Sequence, residues 1–370
     1  MFKCQIFLAI VAVIAAGWLR IAPTAAAAAP IDLYVATDGS DTNACATKVE
    51  PCHTIHQAIS LAAASGTTIH VAKGHYDPVV PGSKNVTVVG VGTDLDAGTV
   101  IAASIGAAVV VNDPAAVLTL KSLAFGGDSV GAYVTAGTLN TSHANVVDSS
   151  CAIFMTDGHV SLRDSAVYQS GITQSPDCSS LTDSPVAVTV NGGSLSMIRS
   201  SLIDTKDEPG IVVNSGTFSA TDSVFSDLAY IQTNNHATVQ NAGGAATIRR
   251  SLFENDGLAL QLTGGSTTIT DSTFYYDEYG ISAVGGGHQP SVFRSTFVDA
   301  PLYGPALLAG DVLTSQFGAT CSEEPTDMGY NYGTRGGCPF HAPTSHNGVA
   351  ALNLDTVAAD HGGPTSTVAE

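Results

Sequence analysis

The sequence predicts an all-β fold, a single-stranded right-handed parallel β-helix solenoid with an N-terminal cap helix. Three observations carry that prediction. A six-residue pattern recurs along the middle of the chain at intervals in the low twenties, the spacing of a solenoid. Short glycine-bounded segments of alternating apolar residues recur out of phase with it. One capped amphipathic segment precedes them all, where the open edge of a strand stack needs a cover.

The recurring pattern is an apolar residue, two polar residues, a Ser, any residue and a second apolar residue. Its copies are Leu162-Arg163-Asp164-Ser165-Ala166-Val167, residues 198–203, 220–225, 248–253 and 269–274, and the shortened Phe293-Arg294-Ser295-Thr296-Phe297. Looser copies occupy residues 120–125 and 142–147. Marked at the Ser position, with Leu123 and Asn145 standing in, the series is 123, 145, 165, 201, 223, 251, 272 and 295. Its steps are 22, 20, 36, 22, 28, 21 and 23, and the two long ones read as loop insertions. The second motif includes Gly210-Ile211-Val212-Val213 before Gly216, Gly257-Leu258-Ala259-Leu260 before Gly264-Gly265, and Gly280-Ile281-Ser282-Ala283-Val284 before Gly285. Alternation at period two sends one side chain inward and the next outward. Leucine-rich repeats need a regular Leu and Asn framework, and helical repeats need 3.6-residue periodicity; the sequence has neither. Stacking aligns equivalent side chains, so Val167, Ile203, Phe225, Phe253, Phe274 and Phe297 are expected to form an internal apolar stack. The serines are expected to bond one another or the turn backbone.

Four segments follow from this reading. Residues 1–29 form a signal peptide, with Lys3 as its basic start, an apolar run over 6–16 and small residues at 25–29 for cleavage. That run is shorter than the roughly 20 residues of a transmembrane helix, and no membrane span is expected after its removal. Residues 30–66 supply an N-terminal strand and the cap helix over 54–65. Thr54 and Gln57 read as a capping box, Ile55, Ala58, Ile59, Ala62 and Ala63 as the apolar face, and Gly66 as the stop. The coils span 67–315, and 316–370 form an irregular, disulfide-stapled tail.

Composition narrows the partners. The chain has 370 residues and a net charge of −19. Removing residues 1–29 takes away Lys3 and Arg20 and no acid, leaving 11 basic against 32 acidic side chains, a net −21. Such a surface disfavours nucleic acid and favours divalent cations or basic surfaces. It repels acidic polysaccharides unless cations bridge the two. Six cysteines remain after export, in a compartment that permits disulfides. The nearest-neighbour pairing is Cys45–Cys52, Cys151–Cys178 and Cys321–Cys338, each closing a loop. The competing reading, metal binding, lacks a CxxC pair.

Both ends of the chain carry a resemblance. Tyr34-Val35-Ala36-Thr37-Asp38-Gly39-Ser40-Asp41, then residues 52–59 and 69–76, resemble the opening of bacterial secreted proteins with the pectin-lyase-like β-helix fold. Residues 327–331, Cys338 and Gly362-Gly363-Pro364-Thr365 resemble the tail of choice-of-anchor Q proteins. The resemblance implies a secreted or cell-surface location. It also implies a continuation past Gly-Gly-Pro-Thr, often to a surface-sorting element, and no such motif precedes Glu370.

The candidate site residues fall in three sets. Asp222, Arg250, Asp271 and Arg294 precede successive marker serines with alternating charge. They read as a surface ion-pair ladder or, as polysaccharide lyases of this fold imply, as an Arg base beside Ca²⁺-binding carboxylates. The turns after the marker strands hold Asp204, Asp207 and Glu208, then Asp227, Glu254 and Asp256, then Asp277, Glu278 and Asp299. Stacked, they would form an acidic ridge, either solvated or able to hold Ca²⁺. Tyr275, Tyr276 and Tyr279, with Tyr168 and Tyr303, could stack on sugar rings. The loop Asp38-Gly39-Ser40-Asp41 with Asn43 reads as a turn or a Ca²⁺ loop. Gly127-Asp128-Ser129-Val130-Gly131 matches a nucleophile elbow outside the strand-to-helix setting that motif requires. Two functions remain open. One is an exported, adhesin-like rod that binds a polysaccharide or cell-surface component. The other is a polysaccharide lyase or glycoside hydrolase.

Overall fold

A computed structural model describes residues 32–63, 66–127, 130–147, 149, 151–168, 186–203, 209–226, 237–284, 288–315, 320–334 and 337–349. Its strands form three long parallel sheets, here A, B and C, of thirteen, thirteen and nine strands. Sheet order follows every third element of the chain, so the fold is a parallel β-helix solenoid. One coil shows the plan. Ala245–Arg249 lies in sheet A, Leu252–Glu254 in sheet B and Leu258–Leu262 in sheet C, and Ser266–Thr270 then returns to sheet A. The A–B corner is a fixed two residues in the marker coils. The B–C turn is the variable one and absorbs the long steps of the repeat.

The sheet A strands alternate between buried and more exposed residues as the period-two pattern requires, whereas sheet C strands such as Cys151–Met155 and Ile211–Val213 are buried throughout, and the inward residues of all coils form one continuous core. Phe225, Phe253, Phe274 and Phe297 stack nearly face to face, with ring centroids 4.6, 4.8 and 4.6 Å apart and planes within 9° of parallel. Strand spacing in a sheet sets that interval. Below Phe225 the stack continues through Leu202 and Val167, not Ile203. The copy at 198–203 is therefore one residue out of register, and its marker is Ser200. The loose copy at 142–147 shifts likewise, with Ala144 as its marker. The error arose where Ser200-Ser201 offers two serines and Leu202-Ile203 two apolar residues.

The A–B corner explains the repeat. The residue before each marker adopts the left-handed conformation: Asp164, Arg199, Asp222, Arg250, Asp271 and Arg294 have φ between 47° and 55°. Bulky residues rarely accept that geometry, and the buried hydrogen bonds beside it hold them there. Ser165, Ser200, Ser223, Ser251 and Ser272 each donate a backbone N–H to the next ladder Oγ at 3.3 Å. From Ser200 to Ser295, each Oγ donates back to the carbonyl two residues earlier. The serines thus satisfy turn backbone rather than one another. Asp311 and Asn331 continue the ladder past Ser295.

The C–A turn carries a second constraint. Gly193 has φ +68°, and a Cβ there would sit 2.2 Å from the Gly158 carbonyl oxygen. Only glycine allows adjacent turns to approach so closely.

The ends differ from the sequence-based boundaries. The cap helix is Ile55–Leu61, with the Thr54 side chain accepting from the Gln57 N–H. It buries Ile55, Ala58 and Ile59 against the first strands. It stops before the expected residue 65 because Ala62 turns extended, and Lys84 Nζ takes the carbonyls of Ile59, Ser60 and Ala62. Parallel pairing already begins at Asp32–Val35 and persists beyond 315, where Thr326–Asp327 and Tyr332–Thr334 add to sheets A and B. Cys45–Cys52 and Cys321–Cys338 are disulfides. Cys151 is buried in sheet C, and its expected partner Cys178 lies outside the described residues, as do residues 1–29, expected as a signal peptide, and residues 362–365. Among the described residues, no helix is long and apolar enough to cross a membrane.

Candidate functional site

The ion-pair ladder forms at the A–B corner because the left-handed residues stack. Arg250 Nε and Nη2 donate to the two carboxylate oxygens of Asp222 at 2.6 and 3.1 Å. Arg294 does the same to Asp271 at 2.7 and 3.0 Å. Arg199 and Asp164 form a third pair, at 2.6 and 2.7 Å. That pair was hidden by the register slip at Ser201. The bidentate fork has two consequences. The guanidinium of Arg294 holds the Asp271 carboxyl below the usual carboxylate range, and Arg199 does the same for Asp164. The hydrogen bond to Asp222 pushes Arg250 up, the wrong direction for a base. The corner is therefore a clasp of paired charges. A double-mutant cycle with Asp222→Asn and Arg250→Met should give a coupling of about 1 kcal/mol or less. Urea melts at rising salt should see it shrink.

The B–C corner over residues 254–303 is chemically richer. Asn255, Tyr276 and Asp299 take the left-handed corner positions, with φ of 58°, 55° and 48°. The next residue points inward, as the serines do at the other corner. Asp256 and Asp277 are therefore buried, not stacked on an exposed ridge. Asp277 Oδ1 accepts the Asp256 N–H at 3.0 Å, and Glu278 N–H bonds the Asp256 carbonyl at 2.9 Å. Burial pushes the Asp277 carboxyl well above the usual range, against two backbone donors and with the charge of Glu254 adding to it. Glu278 is exposed. Asp204, Asp207, Glu208 and Asp227 lie outside the described residues. Among the described residues, no three acidic, His or Cys side chains converge as a cation site. The loop at 38–43 also closes on itself: Asp41 accepts both N–H groups of His53 and Thr54 at 2.9 Å, and Asn43 Nδ2 donates to the Pro51 carbonyl at 2.8 Å. Of the nucleophile-elbow match, Asp128 and Ser129 lie outside the described residues.

The tyrosines separate by the same geometry. Tyr275 is buried, and burial beside Tyr276 pushes its hydroxyl up to about 12. It packs edge-on to Tyr276, with centroids 4.3 Å apart, and so supports that ring rather than offering its own. Tyr276, Tyr279 and Tyr303 remain 37%, 36% and 52% exposed, enough for a ring face to meet a ligand. Tyr279 and Tyr303 lie on adjacent sheet C strands, and their rings meet edge to face at 5.4 Å. Tyr168 is exposed on a distant coil. The candidate site is therefore the Tyr276, Tyr279 and Tyr303 edge with Glu278 beside it.

No protein-family model matches the chain, and no curated protein matches it. Among solved structures it is similar to a rhamnogalacturonan lyase, at 10% identity and a TM-score of 0.43 over 85% of this chain and 84% of that one. It is also similar to the GH136 lacto-N-biosidase from Eubacterium ramulus, at 10% identity and a TM-score of 0.48 over 85% and 67%. The selenomethionine form of that enzyme gives 0.46.

Proposed function

We propose that the protein is an exported, adhesin-like rod that binds carbohydrate at its B–C corner. The observation that carries this reading is the exposed Tyr276, Tyr279 and Tyr303 edge, fixed by stacked coils and backed by buried Tyr275. Aromatic faces held rigidly lose little entropy when a sugar packs on them. The two disulfides and the leader-like residues 1–29 support export. Similarity to carbohydrate-active proteins is consistent with this reading but does not carry it.

A glycan panel tests the proposal. The double variant Tyr276→Ala/Tyr279→Ala should bind its best neutral glycan at least about tenfold more weakly than wild type. Its melting temperature should stay within a few degrees, because both rings are exposed. Undiminished binding would remove the tyrosine edge from the site. The same panel reads the alternative function: release of reducing ends or unsaturated products by the wild type would make the protein a hydrolase or lyase.

A further inference from the structure

We propose that the outer face of sheet A is a separate docking surface for an acidic, carboxylate-bearing polysaccharide lying along the solenoid axis. The first observation is charge segregation. The chain carries 32 acidic and 13 basic residues. Yet the eleven sheet A strands from Thr67–Val71 to Leu307–Ala309 contain no Asp or Glu. Asp32, on the edge strand, lies 3.2 Å from His70. The acids bordering the face at the A–B corner, Asp164, Asp222 and Asp271, are each clasped by an Arg.

The cations of this face fall on one row. Strand registers align His70, Val89, Lys121, Ser142, Arg163, Ile198, Thr221 and Arg249 in that order. Lys121, Arg163 and Arg249 are exposed, and none forms an ion pair among the described residues. With strands about 4.8 Å apart, they sit about 10 and 14 Å from one another along the rod. The neighbouring row is Ser, Thr or Asn at every strand from Thr68 to Ser291. A flat lane of hydroxyls with a cation every second or third rung suits a chain of sugar hydroxyls with sparse charges. A polyphosphate or densely sulfated chain would meet too few cations here and a repelling −19 body around them. Arg also presents the planar fork that pairs with carboxylates.

The row opens into a pocket. Tyr34 stacks on His70 at 5.2 Å, Lys48 Nζ lies 5.8 Å over the Tyr34 ring, and these residues with Val89 line a volume of about 330 Å³. An apolar sugar face fits the ring, and a carboxylate fits Lys48. This lane lies on a different sheet from the tyrosine edge, and its test is independent of that site.

Wild type and the triple variant Lys121→Gln/Arg163→Gln/Arg249→Gln should be compared for binding to alginate, dextran sulfate and neutral dextran at low ionic strength. Alginate binding by the wild type should weaken as salt rises, and the variant should bind about tenfold or more weakly. Lys48→Gln alone should also weaken it, which keeps the test open if the triple variant folds poorly. Tyr276→Ala should leave alginate binding unchanged. Equal alginate binding by variant and wild type, no wild-type alginate binding, or a preference for dextran sulfate over alginate would each overturn the proposal.

Discussion

Phe274→Ala should destabilise the solenoid by about 3–5 kcal/mol, more than any surface change on the molecule. The ring is fully buried and touches a parallel ring on each side, Phe253 at 4.8 Å and Phe297 at 4.6 Å. Truncation removes the transfer free energy of the ring and leaves a void walled by two other rings. Those rings cannot collapse into it, because each is tied to its own strand at fixed spacing. The loss then spreads to both neighbours as missing dispersion contacts. Phe274→Leu retains most of the volume and should cost under about 1.5 kcal/mol. Urea denaturation of the three proteins checks the ordering. Because a solenoid couples mainly to adjacent coils, hydrogen exchange should locate the weakening at coils 252–298 before the whole chain unfolds. A cost below about 1 kcal/mol for Phe274→Ala would mean that the stacked rings are not a rigid core.

That stack was legible in the sequence because each coil repeats one instruction. An apolar residue follows two places after a Ser, and four phenylalanines obey it without exception. The register failed at 198–203, where the text is degenerate, and at the loose copy 142–147, which has no Ser at its ladder position Ala144. The deciding information was not hydrophobic but conformational: Arg199 must occupy the left-handed corner opposite Asp164, which forces Ser200 inward. The acidic corner was misread for a related reason. Asp and Glu in a turn read as solvent-facing, and nothing in the composition marks Asp256 or Asp277 as inward. Their position could have been found by treating the B–C corner like the A–B corner, since Asn255-Asp256 and Tyr276-Asp277 repeat the step from corner residue to ladder residue. The basic lane on sheet A is illegible along the chain, because Lys121, Arg163 and Arg249 are scattered until the rungs are aligned.

The same geometry separates what the rod can present from what it must hide. Tight two-residue corners bury their ladder side chains and leave bidentate ion pairs outside. At the B–C corner Tyr276 stands exposed, and Tyr279 and Tyr303 lie on the sheet C strands that follow. The eleven inner strands of sheet A, from Thr67–Val71 to Leu307–Ala309, carry no acid, and Asp32 and Asp327 stand only on its edge strands.

Asp311→Ser should make the protein more stable at alkaline pH and should flatten its pH dependence. Asp311 occupies the ladder position held by Ser in the preceding coils, and it is fully buried. Burial raises its carboxyl from 3.8 to about 7, although the N–H groups of Ser295 and Ala309 donate to it at 2.7 and 2.8 Å and Arg294 lies near. In the unfolded chain the group loses its proton near pH 4; in the folded chain it keeps it until about pH 7. Between those values the folded state binds more protons, so the stability contributed by this group falls as pH rises and levels off above about 7. A shift of about three units sets an upper figure on the order of 4 kcal/mol. Serine restores the Oγ acceptor that the Ser272 N–H finds one coil earlier, at the loss of the Ala309 bond. The variant should therefore match or trail the wild type at pH 4 and exceed it by about 1–3 kcal/mol at pH 8. Asp164 and Asp271, held low by their arginines, weaken both proteins equally in acid and cancel in the difference. Urea melts of the two proteins across this range give that difference directly. A difference independent of pH would show that Asp311 is ionised in the fold and that its two backbone donors, with Arg294, outweigh its burial.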